Sequence, residues 1–317
     1  MKKEAAPNNK EEWTGGRILR TSWKIISIAI SIFMFIFFGM IFISVFGAFL
    51  PETLELGNVA IIPIEGLIST DGDNWMPGVQ SRSVVEQIEK ADKNSEIKAI
   101  LLEINSPGGT PVATDEIANA VKEVNKTTVA VIRETGASGA YWIATAADKI
   151  FANRMSITGS IGVQASRLEF FGLIADYNIT YNRLTAGRLK DAGSKFREMT
   201  PEEKSLFQQM LDKLHNEFIK VVAENRNLPE AKVRELATGF VYLGGEAKEL
   251  GLVDELGGKK EALKYIEQTL NITAKPVEYK EKKTFLEQLS GVTSENFYQI
   301  GRGMGNVFAA DTKASFT

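Results

Sequence analysis

The sequence predicts an α/β protein built on a parallel sheet, preceded by one transmembrane helix. Two observations carry this. Over residues 58–132, apolar runs of strand length alternate with segments whose apolar residues recur at helical spacing, and strand–helix–strand alternation builds parallel sheets with crossover helices. Ahead of them, residues 25–50 contain no charged side chain and are dense in Ile and Phe; about 20 apolar residues span a bilayer core.

The apolar run is too long for the roughly 7–15-residue core of a signal peptide, and no A-x-A-like cleavage site follows it. Its apolar residues occupy every face, which a buried core helix does not require. Lys2, Lys3, Lys10, Arg17, Arg20 and Lys24 precede it, whereas Glu52 and Glu55 follow before any Lys or Arg. The positive-inside rule then sets residues 1–24 as a cytoplasmic tail and 25–50 as the span. Residues 51–57 form a linker to an extracytoplasmic body. The expected location is the cell membrane, as a single-pass protein.

Within the body, 58–64 (NVAIIPI), 97–104 (IKAILLEI) and 128–132 (TVAVI) read as buried strands. Helices are expected at 83–91, with Val84, Val85, Ile88 and Ala91 on one face, and at 115–124, with Ile117, Val121 and Val124 aligned. Thr200-Pro201-Glu202-Glu203 is a helix start: Thr200 caps, Pro201 fits the first turn and Glu203 closes a capping box. The stripe from Phe207 to Val222 continues that helix to about Asn225. Shorter helices are expected at 230–237, 246–250 and 259–270. The body occupies 58–273; beyond it, 274–317 reads as a partly flexible extension, with 301–317 its mobile tail.

Composition narrows the chemistry. The 317 residues include 37 Lys and Arg against 40 Asp and Glu, for a net charge of −3. Without a basic block in the body there is no electrostatic reason to expect nucleic-acid binding. Cysteine is absent, which excludes disulfides, thiolate metal sites and a Cys nucleophile. The single His, His215, excludes a His-rich metal centre, and its place one position from an amphipathic stripe makes it a solvated surface residue. No metal or cofactor is expected.

Three small-residue turns follow the strands. Asn105-Ser106-Pro107-Gly108-Gly109 lies between a strand and a helix, where bare backbone N–H groups can face a ligand; an ordinary turn reads equally well. In Thr135-Gly136-Ala137-Ser138-Gly139-Ala140-Tyr141-Trp142, Ser138 opens a short apolar helix, as a nucleophile elbow or as a helix cap. Thr158-Gly159-Ser160-Ile161-Gly162-Val163 brings a second hydroxyl. A Ser nucleophile needs a base. A lysine serves only when neutral, so desolvation must lower its pKa by roughly three units, which calls for an apolar wall. Lys122, Lys204, Lys213 and Lys220 sit on polar helix faces; Lys190, between glycines in a segment without helical periodicity, remains, with Lys195 beside it.

These segments, in this order and followed by Gly239-Phe240-Val241-Tyr242 and Leu250-Gly251-Leu252-Val253-Asp254, resemble the signal peptide peptidase A family. Its members are membrane-bound Ser/Lys serine peptidases of the Clp-type protease and crotonase-like fold group, built from repeated β-β-α and βα units. The resemblance covers roughly residues 57–270. It implies Ser138 as nucleophile, Lys190 as general base and acid, Ser160 as a hydroxyl that holds the lysine, and an oxyanion hole from the N–H of Gly139 with one from Gly109 or Gly108, Gly109 being favoured. The short, single-copy form implies a ring-like or dome-shaped homo-oligomer with active sites at subunit interfaces, and leaves open whether the lysine serves the serine of its own copy or of the next. The implied substrates are apolar peptides, among them signal peptides already cleaved from their proteins. Two other readings fit parts of the pattern: a crotonase-like acyl-CoA enzyme, which needs a catalytic Glu and CoA, and a non-catalytic membrane-anchored scaffold whose turns are only structural.

Overall fold

The computed structural model describes residues 14–49, 57–71 and 78–279; most of the expected tail, linker and C-terminal extension lies outside them. The chain divides into two units, one holding residues 1–55 and the other 56–282. In the first, helix α1 (Thr14–Phe49) is continuous over 36 residues, and its described Ile and Phe side chains, from Ile26 to Phe42, are exposed. Among the described residues, no helix is long and apolar enough to cross a membrane, so the fold does not show the span expected over 25–50.

The second unit grows from short apolar strands. In chain order they and their helices are β1 (Val59–Glu65), β2 (Leu67–Ser69), β3 (Gly78–Gln80), α2 (Ser81–Lys93), β4 (Ala99–Ser106), α3 (Pro111–Glu123), β5 (Thr127–Ala137), α4 (Gly139–Thr145), β6 (Lys149–Ala152) and β7 (Ile157–Gly159). There follow α5 (Phe171–Asp176), α6 (Pro201–Arg226), α7 (Glu230–Leu236), β8 (Val241–Leu243), α8 (Gly244–Glu249), β9 (Glu255–Leu256), α9 (Lys259–Leu270) and β10 (Pro276–Glu278). The sheet order is β10-β1-β4-β5-β6-β9, with every pair along it parallel. The mixed α/β class with a largely parallel sheet is therefore as expected.

A parallel sheet covered on both faces has strands that are apolar on both sides rather than alternating, and this explains the apolar runs 59–62 in β1, 99–102 in β4 and 129–132 in β5. Ile62, Ile64, Leu102, Ile104 and Ile132 face one core layer, completed by Val84 and Ile88 of α2, Ile117 and Val121 of α3, and Phe218 of α6. Val59, Ile61, Leu101, Val129 and Val131 face the other, closed by Ala262 and Ile266 of α9.

Three departures from the sequence expectation place the site. Strand β5 does not stop at Ile132; its first half pairs with β6 and its second half, Thr135–Ala137, with β7. Helix α3 begins at Pro111 rather than near 115, because a proline's fixed φ suits the first helical position. Strand β10 pairs with β1, so the sheet takes in residues beyond 273.

One polar lock ties the C-terminal end of α6 to the sheet. Arg226 grips Asp254 through two hydrogen bonds of 2.7 and 3.1 Å, and Asp254 Oδ2 also accepts the Ile150 N–H at 2.7 Å. The Arg226 side chain is only 7% exposed. Removing one partner of a largely buried pair strands the other's charge, so Arg226→Met is expected to cost on the order of 3 kcal/mol, read as a lowered urea midpoint.

Candidate active site

Two strand ends and the turns after them make the site. At the end of β4, the buried Ser106 hydroxyl accepts the Gly108 N–H at 3.1 Å, which sets the Pro107-Gly108-Gly109 turn. Gly108 then takes φ +105°, and a Cβ there would lie 2.8 Å from both the Ala137 carbonyl and the Gly139 nitrogen, and 2.9 Å from Ser138 Cβ. Only glycine fits so close to a second backbone. Strand β2 holds the turn from its other side: the Ile68 N–H donates to Gly108 O at 3.0 Å and the Thr110 N–H to Ile68 O at 2.9 Å.

At the end of β5, Ser138 has φ 53° and ψ −127°, a conformation that costs a side-chain-bearing residue of order 1–3 kcal/mol. Two hydrogen bonds hold it there: its N–H donates to Gly159 O at 2.8 Å, and its carbonyl accepts the Trp142 N–H at 3.0 Å. The side chain is thereby displayed at the strand-to-helix turn. Gly139 follows as the first residue of α4, where a backbone N–H has no intrahelical acceptor. A Cβ on Gly139 would stand 3.3 Å from the Gly109 nitrogen, so the start of α4 and the double-glycine turn approach closely. The Gly109 N–H has no hydrogen-bond partner among the described residues, whereas that of Gly108 is spent on Ser106.

Ser160 is brought beside this elbow by register: Ala137 pairs with Gly159, so the next residue on each strand is a serine. Ser160 also has positive φ, 51°, and its hydroxyl donates to Gly239 O at 3.0 Å, which leaves its lone pairs open to a further donor.

Lys190 is elsewhere in character. Its N–H donates to Gly187 O at 3.1 Å, and its side chain is exposed. Among the described residues of the single chain, nothing pairs with its amine, and no hydrogen bond joins it to Ser138 or Ser160. Among the described residues no apolar wall covers it; Lys195 is exposed too. His215 departs from the expected surface position. It is half-buried, and its Nε2 is buried without a partner among the described residues. The face of α6 beside it packs Phe218 on Trp142, ring centroids 5.0 Å apart. Among the described residues no cluster of His, Asp or Glu could hold a metal ion.

Two features near the site carry no signal in the local sequence pattern. The Thr114 hydroxyl on α3 is buried without a partner among the described residues and occupies the space a Cβ on Gly139 would need, which enforces glycine there. Arg197 binds Asp191 at 2.7 Å and Glu203 at 2.5 Å. These bonds hold the Asp191 and Glu203 carboxyls below the usual range, Glu203 at about 2, and raise the Arg197 guanidinium further. Only Glu203 could have been found, through the capping box, since a buried capping carboxylate calls for a cation.

Gly108→Ala should be poorly tolerated, because the added methyl meets backbone on two sides at an unfavourable φ. A loss of about 1–3 kcal/mol in urea unfolding is expected, together with reduced turnover. Glu203 also makes a pH prediction. A carboxyl with a depressed folded-state pKa contributes stability in full above its unfolded value of about 4.5 and loses it as the pH falls through about 2. The urea midpoint of the native chain should therefore fall more steeply between pH 5 and pH 2 than that of Glu203→Gln.

Comparison with known proteins gives the family. The profile of peptidase family S49 matches residues 120–273, which include the Ser138 elbow and the Lys190 turn. The chain is similar to a putative protease of Methanocaldococcus jannaschii, 38% identical over 241 residues that cover 74% of this chain and 77% of the relative. It is also similar to a putative signal peptide peptidase of Enterococcus faecium, 33% identical over 74% of this chain and 71% of the relative. Protease 4 of Haemophilus influenzae is 32% identical over 70% of this chain but only 37% of its own length. The chain belongs to peptidase family S49 and is a serine peptidase.

Proposed function

We propose that the chain is a membrane-anchored serine endopeptidase with a Ser138/Lys190 dyad, acting on apolar peptides, among them signal peptides already released from their proteins. The observation that carries the reading is the strained Ser138 at a strand-to-helix turn, directly before Gly139 and packed against the turn that holds Gly108 and Gly109; the oxyanion donors proposed are the Gly109 and Gly139 N–H groups. Ser138 Oγ attacks the peptide carbonyl carbon as neutral Lys190 takes the hydroxyl proton. The carbonyl oxygen becomes an oxyanion between the two N–H groups, and each such donor contributes on the order of 10²–10³ in rate. The C–N bond breaks as Lys190 returns the proton to the leaving amine. A water then repeats the sequence on the ester, freeing the acid and Ser138. Ser160, its lone pairs open, steadies the lysine.

An amine takes a proton only when uncharged, and desolvation favours the uncharged form. Lys190 is exposed on its own chain, so its covering comes from a second copy, whose Ser138 it serves. The exposed apolar side chains of the same segment, Leu168, Tyr177, Ile179 and Leu184, support such a contact. Residues 25–50 anchor the chain in the cell membrane with the N-terminus cytoplasmic and residues 58–273 extracytoplasmic as the protease domain. The uncharged run and the exposed Ile and Phe of α1 favour this, as does the name of the Enterococcus relative for the substrate.

Ser138→Ala and Lys190→Ala, each in the full chain in detergent, should lower hydrolysis of an apolar fluorogenic peptide by at least about 10³-fold. Native activity in either variant would refute the dyad. In membrane fractions the native chain should be released by detergent and not by high salt; release by salt would refute the anchor.

A further inference from the structure

The segment that carries Lys190 is held by polar contacts instead of a core. From residue 162 to residue 202 no side chain is buried; the next residue, Glu203, is 3% exposed. Between Glu203 and the lysine turn stands Arg197, and all its N–H groups are engaged. Nε donates to Asp191 Oδ2 at 2.7 Å. Nη1 donates to Glu203 Oε2 and to the Glu198 carbonyl, both at 2.9 Å. Nη2 donates to Glu203 Oε1 at 2.5 Å and to the Asp191 carbonyl at 2.8 Å. Asp191 accepts further from the Tyr181 hydroxyl at 2.9 Å and from Arg183 at 3.2 Å.

The residue so gripped, by backbone and side chain at once, directly follows Lys190. Its carbonyl also accepts the Ser194 N–H at 3.1 Å, and the Ala192 N–H donates to Leu189 O at 2.9 Å. Glu203 in turn is fixed to the start of α6, where its Oε2 accepts the Thr200 N–H at 2.9 Å. Arg197 thus links the capped start of α6 to the turn from which the lysine projects. A guanidinium is suited to this because its rigid fork serves two carboxylates at once. With Asp191 and Glu203 set against Arg183 and Arg197, the cluster carries no net charge.

We propose that Arg197 is a positioning residue for Lys190: it clamps Asp191 to Glu203 and so fixes the direction in which the lysine amine is presented to the serine it serves. The proposal rests on the reading of Lys190 as the base. A misplacement of about 1 Å in a reacting group costs on the order of 10²-fold in rate, which sets the size of the effect expected when the clamp is removed.

The test uses the full chain in detergent, with kcat and KM for an apolar fluorogenic peptide. Arg197→Gln is expected to lower kcat by roughly 10²-fold while KM changes by less than about threefold. Arg197→Lys, unable to serve both carboxylates, should recover only part of the loss. Hydrogen–deuterium exchange should quicken across 187–194 and stay unchanged in the C-terminal half of α6. A native kcat in Arg197→Gln, or a loss shared between kcat and KM with exchange raised throughout, would overturn the proposal. Should Arg197→Gln not fold, Glu203→Gln carries the same test, since its amide oxygen still accepts the capping N–H. Lys190→Ala is measured alongside. If it keeps native activity, the base assignment falls whatever Arg197 does; if it is inactive while Arg197→Gln is native, only the clamp falls.

Discussion

The site depends on one strained residue. Ser138 holds a backbone conformation that a side-chain-bearing residue avoids, and several elements are arranged to keep it there. Strand β5 runs on past β6 to pair with β7, so that the Gly159 carbonyl stands ready for the Ser138 N–H. Helix α4 starts at once, and the Trp142 N–H takes up the Ser138 carbonyl. The Gly108 turn closes in from β4 at a distance that excludes any side chain. The strain is thus offset by the ordinary parallel sheet beneath it, and in return Ser138 and Gly139 are held close against the double-glycine turn.

Order is achieved in two ways in the same unit. The sheet and its covering helices are held by buried apolar side chains on both faces, which are non-directional and tolerant. The segment between Ile161 and Glu203 has no such support and relies on directional ion pairs around Arg197. Apolar side chains lie open along it, and the proposed contact with a second copy would cover them. Ser138 and Lys190, the proposed nucleophile and base, therefore sit on parts held in different ways: a turn at the end of the sheet, and a segment held by ion pairs.

Much of this was legible in the residues. Uninterrupted apolar runs marked β1, β4 and the first half of β5, and helical spacing marked α2, α6 and α9, because burial against a core leaves a periodic trace. The elbow and the double-glycine turn were visible as small residues after strands. Strands β6 to β10, two to four residues long, carry no period and come into being through pairing. The extension of β5 through Arg133 and Glu134 was hidden because those side chains are exposed and interrupt the apolar run. Which of the two glycines spends its N–H on Ser106 is a matter of dihedral angles that composition does not record. The Arg197 clamp joins residues six positions apart on either side, outside any helix, so no spacing rule reveals it. His215 was misjudged for a related reason: the helix stripe is wider than the apolar letters alone suggest.

The central proposal is that the strained Ser138 and the Gly109 and Gly139 N–H groups act as one catalytic unit, and the most direct measurement of that is a crystal structure of the chain reacted with an apolar peptide aldehyde. The expected result is a covalent bond from Ser138 Oγ to the aldehyde carbon, with the hemiacetal oxygen within about 2.7–3.1 Å of both the Gly109 and Gly139 nitrogens. An adduct on another residue, or a hemiacetal oxygen turned to solvent and away from both nitrogens, would contradict it.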